Sequence, residues 1–143
     1  MRKLISNIFI IIIIILVSCK NNDVKGIVNP VFSGTYLYSS FDTTGTPIVK
    51  GWFTMSFQDS TKIKGEWYFE KIGDPKNIGP QVGSGELEGG VNEGRIWIEL
   101  QPKYRDNNLQ LDGKIQNNYY SGKWQWISFI GPTNYGTFVA FKK

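Results

Sequence analysis

From about residue 32 the chain alternates apolar and polar positions, and Gly, Asn and Pro interrupt the alternation at short intervals. Its clearest stretch is Tyr120-Ser121-Gly122-Lys123-Trp124-Gln125-Trp126. Strand side chains point alternately to opposite faces, so Gly122, Trp124 and Trp126 share one face and Lys123 and Gln125 the other. The same frame, a glycine followed at every second position by apolar residues, starts again at Gly34, Gly51, Gly65, Gly85, Gly94, Gly113 and Gly136. Two-residue periodicity bounded by turn residues predicts strands, and eight copies predict eight of them.

With the glycine face inward, the spacing predicts strands over Phe32–Ser39, Gly51–Gln58, Lys62–Glu70, Gly83–Gly89, Arg95–Gln101, Leu109–Ile115, Tyr119–Phe129 and Gly136–Ala140. Loops are expected at 41–50, at 73–82 as a surface loop, and at 101–108. Turns are expected at Asp59-Ser60, between Gly89-Gly90 and Glu93-Gly94, at Asn117-Asn118 and over Gly131–Asn134. Eight sequential strands joined by short hairpins form a meander, which closes into an up-and-down β-barrel without leaving an unpaired edge. The fold class expected is all-β, an eight-stranded antiparallel barrel; a two-sheet β-sandwich is the alternative the same alternation allows.

The first residues follow a different rule. Met1-Arg2-Lys3 is cationic, and an apolar run follows whose unbroken part, Ile8 to Val17, is about half the roughly 20 residues a spanning helix needs. This is the pattern of an export signal. Leu16-Val17-Ser18-Cys19 resembles the lipobox of bacterial lipoproteins. The resemblance implies a signal peptide over 1–18, cleavage before Cys19, and lipidation of Cys19 with a diacylglyceryl group and a further acyl chain such as palmitate. Stable anchoring takes more than one chain. In such lipoproteins an aspartate directly after the cysteine favours the inner membrane. Lys20 stands there, which implies the outer membrane. Lys20-Asn21-Asn22-Asp23 also resembles the surface-export tag of Bacteroidota lipoproteins, leaving the periplasmic and surface sides both open. Residues 19–30 read as the lipidated cysteine and a flexible tether, and 31–143 as the barrel domain.

Composition narrows the chemistry. At 143 residues, with 16 Gly and 15% aromatic residues, the chain has room for one strand-rich domain. Removing Arg2 and Lys3 from 16 basic residues leaves 14 against 12 acidic, a net charge of +2. The basic residues are scattered, which argues against nucleic acid as a partner. Cys19 is the single cysteine, so no intramolecular disulfide forms, and the absence of histidine removes the commonest general base and zinc ligand. Neither a metal site nor a cofactor is expected.

In the first strand, Gly34-Thr35-Tyr36 resembles the Gly-x-Trp of calycin-type barrels, the lipocalins and avidins, with tyrosine in place of tryptophan. The resemblance implies a barrel able to hold one small ligand. Tyr38 stands where avidins place a polar biotin contact, so biotin does not carry over.

No catalytic residues are assigned and the chain reads as a non-enzyme, because the carboxylates fall on outward positions (Glu66, Glu70, Glu86, Glu88, Glu99) or in loops. Two aromatic sets remain. Inward, Tyr36, Tyr38, Trp67, Trp124 and Trp126 are candidate walls of a ligand pocket for a small apolar or aromatic molecule, or the filling of a core. Outward, Trp52, Tyr68, Trp97 and Phe141 are candidates for a partner surface, provided they are contiguous. The reading is a lipid-anchored cell-envelope lipoprotein, a binding or scaffold module using its loops or exterior aromatic patch; a carrier of a small ligand inside the barrel is the alternative.

Overall fold

A computed structural model describes residues 32–143. The signal segment, Cys19, the tether and Val31 lie outside the described residues. Eight strands follow one another: β1 (Gly34–Phe41), β2 (Pro47–Phe57), β3 (Lys62–Lys71), β4 (Gly83–Asn92), β5 (Arg95–Glu99), β6 (Asn107–Gln116), β7 (Tyr119–Ser128) and β8 (Gly131–Lys142). Each pairs antiparallel with the next, and β8 pairs with β1, Leu37 standing opposite Phe141, so the sheet closes. The barrel is an up-and-down meander with no free edge, and a sandwich is excluded.

Within the strands the glycine frame faces inward as expected, while Gly94 lies exposed in the turn before β5; one reason for the frame is steric. A Cβ on Gly65 would fall against the carbonyl oxygen of Thr54, and one on Gly122 against that of Asp112, both far inside van der Waals contact. Glycine at these points lets neighbouring strands coil tightly enough to close a small barrel.

β4 runs on through Gly90 to Asn92, in place of the turn expected from Gly89, and β6 starts at Asn107 inside the expected 101–108 loop; two further strands differ at a bulge. β2 begins at Pro47, because the register shifts between Ser40 and Phe41. The extra residue brings Ile48 and Val49 both into the core. β8 begins at Gly131, so the last hairpin turns at Phe129 and Ile130, not over Gly131–Asn134. Pro132 pairs with Ile127 beside a register shift, a place where a missing backbone donor is tolerated.

The alternating connections sort the ends of the barrel. The segments 58–61, 93–94 and 117–118 lie at one end, together with both ends of the described chain. The segments 42–46, 72–82, 100–106 and 129–130 lie at the other, the mouth. The interior is apolar and the exterior carries most of the charge, the reverse of a membrane-spanning barrel.

Candidate functional site

Four of the five inward candidates, Tyr36, Tyr38, Trp67 and Trp124, are buried in one core with Phe53, Phe69, Tyr120 and Phe138. Their rings are layered through the interior. Tyr38 stacks on Phe69 at 4.1 Å between centroids, Tyr36 on Phe53 at 5.4 Å, and Tyr120 meets Phe138 edge-on at 4.7 Å. Phe53, Tyr120 and Trp124 are 0% exposed.

The polar tips of these aromatics also find internal partners. Trp67 Nε1 donates to the Leu100 carbonyl at 2.8 Å, Trp124 Nε1 to the Phe41 carbonyl at 2.8 Å, and the Tyr120 hydroxyl to the Ile96 carbonyl at 3.0 Å. The Tyr36 hydroxyl donates to the Phe32 carbonyl. Tyr38 is the exception: its buried hydroxyl has no hydrogen-bond partner among the described residues. The Ser40 hydroxyl lies near enough to favour the phenolate slightly, but it donates instead to Gln81. Burial pushes the Tyr36 phenol up to about 12 and Tyr38 higher, and it raises Tyr120 well above the usual tyrosine value, with the Asp112 carboxylate adding to the effect of burial.

Sequence reasoning missed what closes the mouth. The segment 72–82, expected as a plain surface loop, folds into it. Gln81 is fully buried there; its Oε1 accepts from the Ser40 hydroxyl at 3.0 Å and its Nε2 donates to the Ile78 carbonyl at 2.7 Å. Gln101 Nε2 holds the Pro80 carbonyl at 2.5 Å, and Asn134 Nδ2 holds that of Asn77. Trp126, the fifth inward candidate, is half-buried under this segment. Gly79 lies against its indole, whose Nε1 donates to Asn107 Oδ1. A Gly/Pro-rich loop has no periodicity by which Gln81 could have been found; Ile78, the apolar residue just before Gly79-Pro80, is the nearest thing to a signal.

Clefts lie outside the core. One of about 500 Å³ at the mouth is lined by Ile48, Ile72, Lys76, Trp124 and Asn134 among others. Another of about 150 Å³ lies between β4 and the segment after β5, with Trp67 at its floor and Pro102 and Tyr104 at its rim. Tyr36 and Tyr38 line neither.

On the exterior, the pairing register assembles a row that no local pattern shows. Tyr119 stands opposite Phe141, Phe141 opposite Leu37, Leu37 opposite Trp52, and Trp52 opposite Tyr68. Five outward apolar side chains from β7, β8, β1, β2 and β3 thus lie side by side, with Phe141 55% and Leu37 52% exposed. Neighbouring strands are about 4.8 Å apart, so the row runs roughly 19 Å along the curved sheet. Three of the four outward candidates, Trp52, Tyr68 and Phe141, belong to it. Trp97 does not: it sits on β5 opposite Gly90 and Asp112, with its indole against Gly90.

The carboxylates gather on another sector. Glu66 faces Glu86 directly across β3 and β4, and Glu88 faces Glu99 across β4 and β5. Directly opposed like charges repel. Lys64 relieves Glu88 at 3.6 Å and Lys103 relieves Glu86 at 3.4 Å, all of them solvent-exposed side chains. Among the described residues no group of three or more carboxylates converges to hold a metal ion. From Gly113 to Lys143, by contrast, the chain carries four lysines and no acid.

No protein-family model, curated protein or solved structure matches the chain.

Proposed function

We propose that the chain is a lipid-anchored lipoprotein of the bacterial cell envelope, a non-enzymatic binding or scaffold module that works through its outer surface. The carrying observation is the contrast between the two aromatic sets. The inward rings are layered against each other with nearly all their polar tips bonded internally, whereas the outward ones form a continuous exposed row. An exposed apolar row of this kind marks a contact surface. The anchor rests on the lipobox resemblance at Cys19, with its implied outer-membrane location in a Bacteroidota-like envelope.

A second reading, a carrier of a small apolar or aromatic ligand, draws on the unpartnered Tyr38 hydroxyl and the cleft beside Trp124. A ligand reaching Tyr38 would have to displace Gln81 and the segment that holds it.

Native mass spectrometry of the protein taken from its host's membranes separates the two. A retained macromolecular partner supports the surface module, and a retained small molecule supports the carrier. The anchor is tested apart from both: Cys19→Ala should yield an unprocessed or soluble product, and normal membrane fractionation of that variant overturns it.

A further inference from the structure

We infer that the exterior row is a membrane-docking ridge: Phe141, Leu37 and Trp52, flanked by Tyr119 and Tyr68, seat the barrel on its side in the headgroup region of the anionic bilayer that holds its anchor. This deepens the proposed function and rests on its anchoring at Cys19.

Three observations carry it. The first is shape. The row crosses five of the eight strands, so it is a convex ridge wrapping about half the girth of the barrel. Two convex barrels would meet along a line, far short of the roughly 800 Å² per partner that a stable protein interface takes. A fluid bilayer surface conforms to a ridge, which needs to sink only about 5–10 Å to bury its apolar side chains. Trp and Tyr suit that depth because their rings are apolar and their tips polar.

The second is charge. The ridge starts in the sector where β6 after Asp112, then β7, β8 and β1 carry no carboxylate at all. Lys114 lies in the adjoining row, joined to it through Ser121, Val139 and Ser39. Lys143 is held beside Thr35 on the other flank, its backbone N–H donating to the Thr35 carbonyl at 2.9 Å. Lysines flanking an apolar ridge are attracted to an anionic lipid surface. The acidic sector on β4 and β5 is then turned away from the contact, and at the ridge's β3 edge, where Glu66 and Glu70 flank Tyr68, Glu70 is paired with Lys50 at 3.3 Å.

The third is the position of the chain's beginning. The described chain starts at the end of the barrel where Tyr119 and Phe141 lie, and residues 19–31 lead from there to Cys19. A tether of that length reaches roughly 20 Å if flexible, which keeps the ridge within range of the lipid surface.

The test uses the full chain, reconstituted into vesicles of phosphatidylethanolamine and phosphatidylglycerol with brominated acyl chains, which quench nearby tryptophans. The expected result is a chain that floats with the vesicles and whose emission is quenched. Trp52→Phe should abolish most of the quenching and Trp97→Phe should leave it. Phe141→Glu combined with Leu37→Glu should release Trp52 from quenching while the chain still floats, with circular dichroism confirming an intact barrel. A chain that floats with Trp52 unquenched overturns the ridge and leaves the anchor standing. A chain that does not float overturns the anchor and this inference together. Quenching that survives the double glutamate variant also overturns the ridge.

Discussion

Trp124 on β7 reaches over β8 to Phe41 at the end of β1, and its indole N–H donates to that carbonyl at 2.8 Å across 83 residues of chain. Gly136 on β8 makes the passage available, since a Cβ there would collide with both the Phe41 oxygen and the indole. One hydrogen bond thus spans the seam where the last strand meets the first. Trp124→Phe, which removes the donor and leaves a gap where the rest of the indole stood, should cost at least about 1–3 kcal/mol in denaturant unfolding, from the unpaired carbonyl and the cavity together. Gly136→Ala should cost at least as much.

The two faces of β7 give a sharper contrast. Trp124→Asp places a charge at a fully buried position and should abolish folding, whereas Lys123→Asp, exposed but opposite Asp112, should cost no more than about 1 kcal/mol. Equal effects, read by thermal melting, would mean that the inward and outward faces of this strand are interchanged.

Tyr38 keeps a buried hydroxyl with nothing to donate to, a state that costs about 1–3 kcal/mol. Tyr38→Phe retains the ring stacked on Phe69 and should therefore stabilise the barrel by about 1 kcal/mol. A clear loss of stability in the melt would show that the hydroxyl has a partner.

Gln81 is predicted to hold the mouth closed. Gln81→Ala leaves the Ser40 hydroxyl without its acceptor and opens a cavity, for a loss of about 1–3 kcal/mol. Hydrogen exchange should rise across 72–82 and stay unchanged at the short-turn end. Protection that falls evenly around the barrel would refute a local plug.

The buried phenols set an alkaline limit. Tyr36 is raised from 10 to about 12 in the fold, Tyr38 is raised further, and Tyr120 is raised well above 10. Since the fold favours the neutral form, this stabilisation is complete below pH 10 and is lost above it, as phenols of the unfolded chain ionise. Tyrosinate absorbance from these residues should appear together with loss of the barrel signal in circular dichroism. Ionisation well before unfolding would contradict their burial.

The architecture was legible because a two-residue period states which face each side chain takes, and glycines recurring at a fixed phase state where strands must come close. What the alternation does not contain is register. Leu37 and Tyr119 were readable as outward residues, but their place beside Phe141 and Trp52 depends on which residue stands opposite which. The same offset removes Trp97 from the row, although in sequence it looks like Trp52. The two bulges escaped notice because an extra residue breaks the period locally, as Ile48 does beside Val49. Gln81 was out of reach because a polar residue in an irregular loop is buried only if the loop folds inward.

Pairing of β8 with β1 brings the two extremities of the described chain together: the Lys143 amide bonds the Thr35 carbonyl, and Tyr36 stands opposite Lys142. The polypeptide is therefore close to circular in space. A short linker from Lys143 back to Phe32, with new ends cut at the exposed Phe129–Ile130 turn, would preserve every strand pairing. Such a rearranged chain would begin at the mouth, so any anchor attached to its new start would hold the barrel upside down.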